Sequence, residues 1–72
     1  MTTLGERLLI LRRRRGLTQK ELAQRVGTRQ PVIARLENAD YPGHSVRMLR
    51  RIAKALDLEL HIELRPKAEA SE

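Results

Sequence analysis

Gln30 and Arg35, five residues apart in "TRQPVIARLEN", carry planar groups suited to paired hydrogen bonds: an amide and a guanidinium. Such groups recognise a planar partner rather than transform it. Bond-breaking chemistry finds little to work with here. The chain has no cysteine, and its two histidines, His44 and His61, have no serine or acidic pair at a spacing that would build a nucleophile and its base. Two distant histidines and scattered carboxylates also fall short of a metal's ligand set. The expectation is a binding protein, not an enzyme, without metal or cofactor.

The charge distribution points to the kind of ligand. The 72 residues carry a net charge of +6, and the excess is uneven. Residues 1–57 hold thirteen basic and five acidic side chains, whereas residues 58–72 hold two and four. A basic head with a mildly acidic tail fits a polyanion bound by the head alone. No hydrophobic leader opens the sequence, and "LLIL" at residues 8–11 is too short to span a bilayer. The chain reads as cytoplasmic.

The elements that would position Gln30 and Arg35 are legible from their punctuation. Thr3 with Glu6, and Thr18 with Glu21, have the spacing of a capping box, so helices should start after each threonine. Gly16 and Gly27 are suited to left-handed helix ends. In the first helix Leu4, Leu8 and Leu11 share a face, and Arg12 to Arg15 crowd the last turn, where the dipole favours cations. Some of these arginines could reach phosphates; a solvated helix end explains them about as well. Leu9 and Ile10 widen the apolar arc, either at the edge of the core or against a partner.

Thr28 reads as the cap of a third helix with Pro31 in its first turn, where a missing N–H costs little. Ile33 and Leu36 face inward with Val32 beside them. "NADYPGHS" is a loop, and Ser45 caps a fourth helix with Val46, Leu49, Ile52, Ala53 and Leu56 as its apolar stripe. Its other side, Arg47, Arg50, Arg51 and Lys54, reads as a solvated face. After Asp57 the period changes to two: Leu58, Leu60, Ile62 and Leu64 alternate with polar residues, the pattern of a β-strand. A lone strand needs a partner, and the natural one is its copy in a second subunit.

Residues 19–38 combine short helices, a glycine turn, a small Ala23 at the crossing, and Leu22, Val26, Ile33 and Leu36 to lock the pair. "LTQKELAQRVGTRQPVIARLEN" resembles the Cro/CI-type (Xre-family) helix-turn-helix, and the likeness runs on through "SVRMLRRIAKAL", roughly residues 4–57. "LDLELHIELRPK" is similar to the C-terminal strand of HipB-like antitoxins, and HigA-like antitoxins share the same helix-turn-helix. The resemblance implies a cognate toxin as a second partner and repression of the protein's own operon. It also carries the base-reading positions onto Gln30, Pro31, Ala34 and Arg35, and a phosphate-contacting glutamine onto Gln19. Pro31 stands where those proteins usually carry a polar residue, which removes one base hydrogen bond.

The residues support the same destination independently. A helix fits the major groove, where an amide pairs with adenine N6/N7 and a guanidinium with guanine O6/N7, each contact giving ~1–3 kcal/mol of discrimination. Pro31 and Ala34 offer apolar surface to a thymine methyl. Thr18 and Gln19 present a helix N-terminus to phosphate, with Arg29 and Asn38 flanking the stripe. Against this, Arg35 could ion-pair, Gln19 could merely start a helix, and Asn38 could form a turn.

The expected architecture is therefore mainly α: a four-helix, lambda-repressor-like domain over residues 1–57, a dimerisation strand at 58–65 (Leu58, Leu60, Ile62 and Leu64 pairing antiparallel across a homodimer), and a flexible tail at 66–72. The expected ligand is double-stranded DNA carrying a near-palindromic operator. An interaction module that docks a protein on the same scaffold is the alternative.

Overall fold

The computed structural model describes residues 2–68. Along them run four helices, α1 (Leu4–Arg14), α2 (Gln19–Val26), α3 (Gln30–Leu36) and α4 (Val46–Ala55). Both expected capping boxes form. Thr3 N–H donates to Glu6 Oε1 at 2.9 Å while Glu6 N–H donates to Thr3 Oγ1 at 3.2 Å; Thr18 and Glu21 do the same at 2.8 and 3.0 Å. The bond from the Thr18 backbone, reinforced by its hydroxyl, holds the Glu21 carboxyl below its ordinary value of 4.5. Gly16 (φ +72°) and Gly27 (φ +84°) occupy the left-handed region, as their places after α1 and α2 require.

The start of α3 differs from expectation. Its N-cap is Arg29, not Thr28, and no side chain caps it. With Thr28 as cap, Pro31 would stand at the third helical position, where a capping oxygen seeks an N–H that proline lacks. Starting one residue later puts Pro31 at the second position instead.

The core is aliphatic. Leu22, Ile33, Ile52 and Leu56 are 1–2% exposed, and Leu8, Ala23, Val26, Leu36 and Leu49 are buried around them. At ~1.5–3 kcal/mol per fully buried large side chain, this cluster is the main source of stability. Helix α2 is the hub, packing against both α3 and α4. Leu4 and Val46, expected in the apolar stripes, are exposed. Each is the first residue of its helix, one turn short of the first core residue, Leu8 or Leu49.

Gly5 was not a residue the sequence singled out, yet it sets how close α1 lies to the end of α3. A Cβ there would fall 2.6 Å from the backbone oxygen of Asn38, and a carbonyl cannot rotate away as a side chain can. Gly5→Ala is expected to lower stability by about 1–2 kcal/mol, because overpacking at this contact outweighs alanine's better helix propensity. A denaturant titration that showed a gain would remove the close approach.

The β-strand does not form: among the described residues there is none. A strand exists through its ladder, and the described residues, folded into four helices, offer no second strand to pair with. Asp57, in the left-handed region at φ +56°, turns the chain out of α4. Leu58 and Leu60 then pack half-buried on their own core, in a cleft lined by Leu8, Leu11, Leu49 and Ile52. Ile62 and Leu64 stay 59% and 96% exposed. Alternation predicted one shared face for these four residues, whereas the fold divides them. Part of the expected tail, residues 69–72, lies outside the described residues. Among the described residues no helix is long and apolar enough to cross a membrane.

Candidate nucleic-acid interface

Helix α3 presents its outer face as periodicity required. Gln30, Pro31 and Arg35 are exposed and Ala34 is half-buried, with Arg29 and Asn38 exposed on either side. Residues i, i+1, i+4 and i+5 fall on one side of a helix, and the inward positions Ile33 and Leu36, 1% and 5% exposed, leave the stripe no other direction. Neither Arg35 nor Arg29 has a side-chain partner among the described residues. The ion-pair alternative for Arg35 does not occur there.

Gln30 is held from behind. Its Nε2 donates to Gln19 Oε1 at 2.7 Å, and Gln19 Nε2 donates to Glu37 Oε1 at 3.0 Å. Glu37 is clamped by Arg12, whose Nε–H donates to Oε2 at 2.6 Å and whose terminal nitrogen donates to Oε1 at 3.0 Å. Another Arg12 nitrogen donates to the Leu17 carbonyl at 2.7 Å. The two charged side chains are only 8% and 3% exposed. A buried charge persists only with full pairing, and no buried side-chain nitrogen or oxygen among the described residues is left without a partner. The network thus joins α1, the end of α3, the start of α2 and the start of α3.

Arg12 and Glu37 are the residues sequence reading missed. The run Arg12 to Arg15 reads as a solvated or phosphate-facing helix end, but Arg12 is buried while the other three are exposed. A signal was present. Arg12 lies four residues after Leu8 and Glu37 four after Ile33, so opposite charges occupy the inward faces of two helices.

The other candidates are more engaged than expected. Thr18 uses both its N–H and its hydroxyl in the capping box. Asn38 Oδ1 accepts from the Asp40 N–H at 2.9 Å, the turn-forming role weighed for it, so only its amide nitrogen remains for a ligand. Arg51 is exposed on the expected solvated face but is not idle there: it donates to the Val26 carbonyl at 2.6 Å and closes the C-terminus of α2. Arg47, Arg50 and Lys54 remain exposed. His44 Nε2 lies 2.7 Å from the Leu36 carbonyl and must donate to it, since a carbonyl only accepts. Its ring meets Tyr41 edge-on at 5.2 Å, so it fastens the loop after α3.

Two locked helices with a donor-bearing outer face define a class. The family model for the helix-turn-helix matches residues 8–62, and the chain belongs to this Cro/CI-type family of DNA-binding transcriptional regulators rather than to an enzyme family. Among solved structures it is similar to the restriction-modification controller protein C.AhdI from Aeromonas hydrophila. The two are 32% identical with a TM-score of 0.72, over 78% of this chain and 80% of that one. No curated protein matches the chain.

Proposed function

We propose that the protein is a cytoplasmic, sequence-specific repressor that binds double-stranded DNA as a homodimer on a near-palindromic operator. The observation that carries this is the exposed stripe of α3, with Gln30 and Arg35 projecting from a helix pair whose inner residues are buried. Gln30, Pro31, Ala34 and Arg35 read base edges, while Arg29, the free amide nitrogen of Asn38 and the start of α2 at Thr18 and Gln19 meet phosphates. Residues 1–57 form the DNA-binding unit. The likeness to a restriction-modification controller supports a regulator of this kind.

A cognate toxin has weaker support. The likeness to antitoxins rested most on the C-terminal strand, and no strand forms among the described residues.

For the homodimer, the support lies in residues 58–65. Ile62 and Leu64 extend apolar surface past the segment that Leu58 and Leu60 anchor to the core, and a second copy would cover it. Ile62→Glu is expected to shift sedimentation of the full chain towards monomer and to reduce operator affinity with it. Unchanged sedimentation would remove this segment from the interface.

The test of function is retention of random-sequence duplexes by the purified protein at two salt concentrations, followed by sequencing of the retained fraction. Specific DNA binding yields an enriched near-palindrome and an affinity that falls steeply with salt, because phosphate contacts release counterions. No enrichment, with affinity indifferent to salt, would favour a protein-docking module instead.

A further inference from the structure

The side chains behind Gln30 form a chain with a direction. A carboxylate offers only acceptors and a guanidinium only donors, so Arg12 and Glu37 fix the polarity at the buried end. Gln19, 3.0 Å from Glu37 Oε1, must turn its Nε2–H inward and its carbonyl oxygen outward. That oxygen accepts from Gln30 Nε2 at 2.7 Å, which leaves Gln30 Oε1 and its second N–H free. The two ends of an amide are nearly the same size, so only hydrogen bonding decides which way round a glutamine sits. Here the decision originates at Glu37, 3% exposed and seven residues beyond Gln30 along the chain.

We propose that Glu37, held by Arg12, is a positioning residue that sets which way round the Gln30 amide faces DNA, and thereby which base Gln30 prefers. The proposal rests on the reading of Gln30 as a base contact. Adenine presents an N7 acceptor beside an N6–H donor in fixed order, and an amide makes both bonds only when its nitrogen and oxygen come in the matching order. Anchoring one Nε2–H on Gln19 leaves the other for N7 and Oε1 for N6–H. A reversed amide would bring oxygen to N7 and nitrogen to N6.

Glu37→Met tests this with little change in length. The thioether offers Gln19 no comparable acceptor, so Gln19 and then Gln30 lose their imposed order; Glu37→Gln would not serve, because its oxygen would take the place that receives both Arg12 and Gln19. Duplexes retained from the random pool, differing only at the base pair facing Gln30, are competed against one another for the full chain at fixed salt. Glu37→Met is expected to reduce preference for adenine at that pair about tenfold, within the range of one bidentate contact, while preference at the pair facing Arg35 is unchanged. Gln30→Ala should give the same loss, and Glu37→Met should add nothing to it in the double variant.

If Glu37→Met alone does not fold, Arg12→Met with Glu37→Met removes the same acceptor without leaving a buried charge unpaired and supplies the same readout. A folded variant of either kind that keeps the preference, or weakens every duplex equally, overturns the proposal. If Gln30→Ala itself leaves the preference intact, the base-reading assignment falls and the proposal with it.

Discussion

Arg12→Ala is expected to destabilise the domain by about 3–5 kcal/mol, the cost of leaving one member of a buried ion pair without its partner. A domain of 72 residues has roughly 4–11 kcal/mol of stability in total, so most of the folded population is at stake. The magnitude follows from the surroundings. Glu37 takes two hydrogen bonds from Arg12 at 2.6 and 3.0 Å in a site where its side chain is 3% exposed. Without the guanidinium, that carboxylate keeps only the Gln19 amide, and the Leu17 carbonyl loses its donor as well. Arg13→Ala, one residue on and exposed, is expected to change stability by no more than about 0.5 kcal/mol. Urea titrations followed by circular dichroism compare the two directly. Equal effects would mean that the pair is not buried in solution.

The second large effect falls on binding rather than folding. Arg35→Ala is expected to cost ~1–3 kcal/mol of discrimination at one base pair of each half-site, roughly a five- to 150-fold loss of preference, with stability nearly unchanged. Arg35 is exposed in the last turn of α3 and has no side-chain partner among the described residues, so no ion pair or side-chain hydrogen bond of the fold is lost with it. Competition between operator duplexes that differ only at that pair measures the effect. Equal weakening on all sequences would assign Arg35 to phosphate instead. Gln19→Ala makes an instructive contrast. The family resemblance and its place at the start of α2 imply a uniform phosphate role for it, but its bond to Gln30 means that its loss should also blunt preference at the Gln30 pair.

Local chemistry accounts for what could be read from the sequence. The boxes at Thr3 with Glu6 and at Thr18 with Glu21, the left-handed Gly16 and Gly27, and the division of α3 into an inward Ile33 and Leu36 and an outward Gln30 and Arg35 all act within one or two helical turns. Backbone geometry fixes which side chains meet over such distances, so spacing is enough. Membership of the family was legible for the same reason, since its core and turn positions fall inside residues 19–38.

Tertiary structure alone decided the contacts that bridge helices. Arg12 meets Glu37 and Arg51 meets Val26 across 25 residues in each case, and those distances close only when the helices have packed. Four neighbouring arginines look alike in sequence; burial of one of them depends on a carboxylate that arrives from α3. The alternating segment after Asp57 shows the opposite failure. Its alternation at Leu58, Leu60, Ile62 and Leu64 has the period of a strand, but a strand is a relation between two chains or segments. With no second strand among the described residues, Leu58 and Leu60 took the apolar cleft within reach.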